Sequence, residues 1–156
     1  MEQHLIRAWP LSRVAVYLAC VRCLTVRRMF VLSVDRRQNV LLVEFSGTMT
    51  DVDFEGAEAG ILAFIAREGP ARRIMDLTAV EVWDVPDALM VQRAKTRPLT
   101  SSLARVVVAP TDYLFAICRM FTSYQATQDI EHPPIVRSRT LAYAELGLSD
   151  PDFRPV

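Results

Sequence analysis

The run Arg105-Val106-Val107-Val108-Ala109 constrains this chain most. It is short and β-branched, the look of a strand buried on both faces, which belongs inside a parallel sheet covered by helices. Pro110-Thr111-Asp112 follows at once and starts a helix, read here as the longest of the chain, through about Gln128. A strand passing directly into a helix is the repeating unit of α/β architecture.

The remaining pattern repeats that unit. Phe30–Asp35 and Val40–Ser46 are β-rich and joined by Arg36-Arg37-Gln38-Asn39, where Asn39 tolerates a left-handed turn, so they read as a hairpin. Leu41, Val43 and Phe45 share one face, and Gly47 breaks the strand. Thr50 and Asp53 stand at capping-box spacing before an acidic helix start. Phe54, Ala57, Ile61, Leu62 and Ile65 form its buried stripe, and Gly69-Pro70 ends it. Arg73–Leu77 is a short strand whose carboxyl end points at a loop, Thr78–Asp84. Asp84 or Val85 caps a second helix with Pro86 in its first turn, running to about Thr96. Pro134–Arg137 is the last strand, and Ser138–Leu146 the last helix, closed by Gly147. The order β-β-α-β-α-β-α-β-α predicts an α/β fold with a mostly parallel sheet, the opening hairpin supplying an antiparallel edge. The tail 149–156 reads as loose.

A chain of 156 residues, 51% hydrophobic and 23% charged, fits one domain with a real core. Net charge is zero, which argues against a nucleic-acid binder. The zero hides an asymmetry: residues 1–37 carry seven Arg against Glu2 and Asp35, a balance of +5, and the rest carries −5. Three cysteines make no disulfide framework and point to a reducing cytoplasm.

Residues 1–28 form a basic extension ahead of the domain. The longest uncharged run there, Val14–Val21, is far short of the roughly 20 apolar residues a spanning helix needs, so no stable membrane insertion is expected. Three readings fit the extension: translation starting at Met29, a surface helix, or a basic amphipathic helix on anionic lipid. Cys20 and Cys23 make a C-x-x-C without the strand–helix setting of a redox motif, and a zinc site lacks two further ligands at suitable spacing. They read as two small apolar residues on one helix.

Gly47-Thr48-Met49-Thr50, the stretch Arg105–Phe121 and the closing Leu141–Leu148 resemble the SpoIIAA-like, STAS-type proteins, over roughly Phe30–Leu148. The resemblance is to an uncharacterised branch of that family. It implies a fold of the order above and a non-enzymatic module that works through protein contact. The best-known relatives are anti-anti-sigma factors, switched by phosphorylation of a Ser in the pattern Asp-Leu-Ser, then Asp-Ser-Ser-Gly. This chain keeps the spacing from Asp76-Leu77-Thr78 to Asp84, but Val85 and Pro86 occupy the Ser-Ser positions. Neither has a hydroxyl, so the Ser switch is not expected; Thr78 is the one hydroxyl in the loop, expected to satisfy a backbone group.

Nucleophilic catalysis needs a Ser or Cys beside a base, and the two histidines, His4 and His132, lie away from strand carboxyl ends. No glycine-rich phosphate loop is present. The expectation is therefore no enzyme, no cofactor and no metal. On the helix after Pro110, Leu114, Ile117, Cys118 and Phe121 should be core, while Tyr113, Met120 and Tyr124 form a second line. That line, with Thr78, Trp83 and Asp84, is the candidate surface for a protein partner or a second copy of the chain in a homodimer. Trp83 is placed in the strand-to-helix loop as a plug of the sheet end or an exposed anchor. Arg93, Lys95 and Arg97 read as a solvated face. The alternative is a small-molecule or lipid carrier with a greasy pocket between helices.

Overall fold

The computed structural model describes residues 29–96 and 103–156. The basic extension with Cys20 and Cys23, and Arg97, lie outside them.

β1 (Phe30–Asp35) and β2 (Val40–Thr50) pair antiparallel as the expected hairpin. Asn39 takes a φ of 52°, the left-handed conformation its short polar side chain accommodates. The buried Asp35 carboxylate holds the turn, accepting from the Gln38 backbone N–H at 3.0 Å and from its side chain at 2.8 Å.

Gly47 does not end β2. The strand passes through it to Thr50, because Gly47, at φ 63°, absorbs a register shift against the neighbouring strand. That neighbour is β3 (Arg72–Asp84), parallel to β2 and far longer than Arg73–Leu77. The segment Thr78–Asp84 is strand rather than loop: the extra length of β2 gives its backbone a ladder, with Val82, Trp83 and Asp84 in register with Thr48, Met49 and Thr50.

β4 (Arg105–Val108) lies parallel on the other side of β3 and stops opposite Asp76, and β5 (Ile135–Val136) follows it. β6 (Arg154–Pro155) pairs antiparallel with β1, so the sheet runs β5-β4-β3-β2-β1-β6 and is mixed. Two expectations change here. The tail is docked rather than loose, and it, not the hairpin, forms the antiparallel edge. The physical reason is contact with residues distant in sequence: Asp152 N–H donates to the Asp35 carboxylate at 3.0 Å, and Val156 N–H to the Leu32 carbonyl at 3.1 Å. Phe153 also packs on Tyr143, 6.1 Å between ring centres.

Helix α1 (Asp51–Glu68) starts on the full Thr50–Asp53 capping box and stops at Gly69. Ala57 and Ile61 are buried as expected, but Phe64 completes the stripe and Leu62 is exposed. α2 (Asp87–Ala94) follows Pro86, and Val85 is buried behind it. α3 (Asp112–Ala126) is capped by Thr111 and, at 15 residues against 18, is shorter than α1. α4 (Arg139–Glu145) is capped by Ser138.

These helices sort to the two faces of the sheet. α1, α2 and α3 cover the face carrying Leu41, Val43, Phe45 and Leu77. α4 covers Val40, Leu42, Ile74 and Val106 on the other. Among the described residues no helix is long and apolar enough to cross a membrane.

Candidate functional site

α1 packs over β1 and β2, while α3 packs on α2 and beside β5. Between them, above β3 and β4, lies a cavity of about 440 Å³, within the range of small-molecule sites. Met75, Leu77 and Val107 form its floor, with Met49 beside them. Phe54 and Ile61 of α1, Leu89 and Met90 of α2, and Cys118 and Phe121 of α3 supply apolar walls. The stripe read as plain core on α3 thus turns two of its members toward a hollow.

Charged groups stand in this apolar setting. Arg73, on β3, is 8% exposed, and its Nε has no hydrogen-bond partner among the described residues. Its register neighbour across the parallel ladder is Arg105, on β4. Both line the cavity. Burial pushes the Arg73 guanidinium down to about 10, and Arg105 pushes the same way against the pull of Glu58. Burial also lowers Arg105, with Glu131 opposing. Arg105 donates to the Glu131 carbonyl at 2.6 Å; neither arginine makes an ion pair among the described residues.

Arg93 behaves differently. It bridges Glu58 and, at 3.5 Å, Glu55, and its guanidinium lies 4.6 Å above the Phe54 ring. With its side chain 15% exposed it is part of the cavity wall and not of a solvated face. The cause is α1, whose two glutamates draw it in. Lys95 is exposed. On α3 the Gln125 Oε1 is buried and unpaired among the described residues, and Gln125 also lines the cavity.

Burial pushes the Cys118 thiol up to about 12, so it stays protonated and poorly nucleophilic near neutral pH.

Of the candidate-surface residues Thr78, Trp83, Asp84, Tyr113, Met120 and Tyr124, Trp83 alone lines this cavity, near the end of β3 and half-buried. Asp84 is exposed at the strand's last position, in register with Thr50. Tyr113 is 62% exposed, Tyr124 is exposed and Met120 half-buried along α3. Thr78 is exposed. Its backbone N–H donates to Asp76 at 2.7 Å, so the local contact runs through its amide and not, as expected, through its hydroxyl.

Asp76 belongs to a second polar cluster, on the α4 face. It is 1% exposed, and Arg139 at the start of α4 donates Nε to it and Nη2 to Glu44 of β2. This ties β2, β3 and α4 with satisfied bonds, which is the pattern of a structural clamp.

Sequence reasoning missed Arg73, Arg105 and Gln125. The signal was that both core strands open on Arg in otherwise apolar runs, Arg73-Ile-Met and Arg105-Val-Val. Set against known proteins, the chain matches no family model and no curated protein.

Proposed function

We propose that this protein is a non-enzymatic binding module of STAS type that takes up a small, largely apolar molecule between its helices and its sheet. The observation that carries this reading is the 440 Å³ cavity, apolar over most of its wall and provided with a few buried polar groups. A binding role without chemistry is supported by Cys118, the thiol among the described residues of its wall, which burial keeps protonated. At the place where the best-known relatives carry a phosphorylated Ser stand buried Val85 and, before α2, Pro86, neither with a hydroxyl, which supports a reading without that phosphate switch.

Native mass spectrometry of protein purified gently from cells tests the reading. A bound mass that disappears on denaturation, and is absent from a cavity-filled Val107→Phe variant, is the expected result. A clean apo mass for the unaltered chain would count against it.

A second reading, docking of a protein partner or a second copy, is favoured by Tyr113 and Val82, 62% and 52% exposed. Unchanged oligomeric state and pull-down in Tyr113→Ala and Tyr124→Ala would remove that reading.

A further inference from the structure

The cavity poses an electrostatic problem that its own walls do not solve. Like charges directly opposite each other on neighbouring strands repel, and a guanidinium removed from water loses solvation that only a counter-charge or a full set of hydrogen bonds restores. Arg73 and Arg105 are in that position, in register on β3 and β4. The acidic side chains in the cavity wall, Glu55 and Glu58, are both taken by Arg93. Among the described residues Arg73 therefore remains nine-tenths buried with its Nε unpaired, beside a second cation and at the wall of a space large enough for a ligand.

We infer that the ligand is an amphiphilic anion, its carboxylate or phosphate head seated on Arg73 and Arg105 and its apolar body lying against Met75, Leu77 and Phe121. This rests on the cavity being a binding site, and adds the chemistry of what binds. Arginine's planar fork matches a two-oxygen head group bidentately, and the second guanidinium turns repulsion into shared attraction once the anion is present. Gln125, whose Oε1 is buried without a partner among the described residues, is a further polar group of the cavity wall. A half-turn of its carboxamide presents N–H₂ in place of oxygen.

Isothermal titration of the full chain with decanoate, decyl phosphate and decanol, each below its micelle threshold, tests the inference. The expected result is that at least one of the anions binds about tenfold or more tighter than decanol, as a charge-assisted contact should. The ratio of the two anions identifies the head group. In Arg73→Met the preference over decanol collapses while decanol binds as before, and Arg73→Lys, which keeps the charge, restores part of it.

Decanol binding as tightly as either anion would overturn the inference and leave the cavity reading standing. An anion preference that survives in Arg73→Met would also overturn it. No binding by any of the three compounds would remove the cavity reading together with the inference. Should Arg73→Met not fold, Arg73→Gln carries the same test.

Discussion

Arg73 and Arg105 are register neighbours on the parallel strands β3 and β4, two guanidiniums side by side at one wall of an apolar cavity. A fold chosen for stability alone would place valine or methionine there, as it does at Met75 and Val107 one step further along. The pair is retained at a cost, and that cost is measurable.

Arg73→Met, freed of co-purified ligand, should melt higher. Replacing a poorly compensated buried charge by an apolar side chain of similar length gains about 1–4 kcal/mol, roughly 3–10 °C for a chain of this size. Burial holds the folded guanidinium at about 10, well below its ordinary value. The folded state therefore binds fewer protons than the unfolded one only between those values, and stability rises with pH there. Below that window the penalty is complete and constant, so melts at pH 6 and pH 9 should show the same gain. A lower melting temperature in the variant would contradict the unpaired charge.

Asp35 should act as the acid-sensitive latch of the C-terminal tail. Burial works to raise its carboxyl, but the bonds from Gln38 and from Asp152 N–H, with the charge of Arg37, outweigh it and hold it below its ordinary value. A depressed carboxyl stabilises above the unfolded-state pKa and loses that contribution as pH falls through the folded one. Protection of the amides of residues 149–156, each referred to its unprotected exchange rate at the same pH, should be high at pH 7 and should fall on acidification below about 4. Asp35→Ala should expose the tail already at pH 7, costing about 1–3 kcal/mol. Equal protection in the variant would remove the latch.

The α4 clamp predicts an asymmetry between two substitutions of Arg139. Its Nε and Nη2 reach two carboxylates on different strands, which one ammonium cannot imitate. Arg139→Lys should therefore recover less than half of what Arg139→Ala loses in urea denaturation. The Ala loss should be about 1–3 kcal/mol, since Arg139 is 40% exposed while Asp76 is buried. Full recovery by lysine would mean that charge alone matters there.

Gly47→Ala should destabilise by about 1–2 kcal/mol through its positive φ alone. An added Cβ would also lie 2.1 Å from the Met29 side chain, at φ 63°. Thermal melting of Gly47→Ala, alone and with Met29→Ala, separates the two effects: the double variant recovers the crowding and not the backbone strain.

Much of the fold was legible because its signals are local. The Thr50–Asp53 capping box, Asn39 in the hairpin turn and Ser138 before the last helix act within a few residues of themselves. The errors came where the deciding contact is distant in sequence. Thr78–Asp84 looked like a loop because Thr78, Glu81 and Asp84 are polar, yet β2 some 34 residues earlier supplies its ladder partners, such as Met49 for Trp83. The tail, with Pro151 and Pro155, looked loose because nothing near it shows that Asp35 accepts from Asp152.

The site was harder to see for the same reason. Cys118 and Phe121 follow the spacing of ordinary core residues, and helical spacing does not distinguish a filled interior from a hollow one. Arg73 and Arg105 each open an apolar run, a signal that alone names no partner. Only the register of β3 against β4 makes them a pair.

The chain's tryptophans are Trp9 and Trp83, and Trp83 lines the cavity. Titrating whichever of decanoate and decyl phosphate binds tighter into a Trp9→Phe variant, while following Trp83 fluorescence, therefore reads cavity occupancy directly. The account predicts a saturable one-to-one change that Val107→Phe weakens about tenfold or more. A drift without saturation, or a curve that Val107→Phe leaves unaltered, would contradict it.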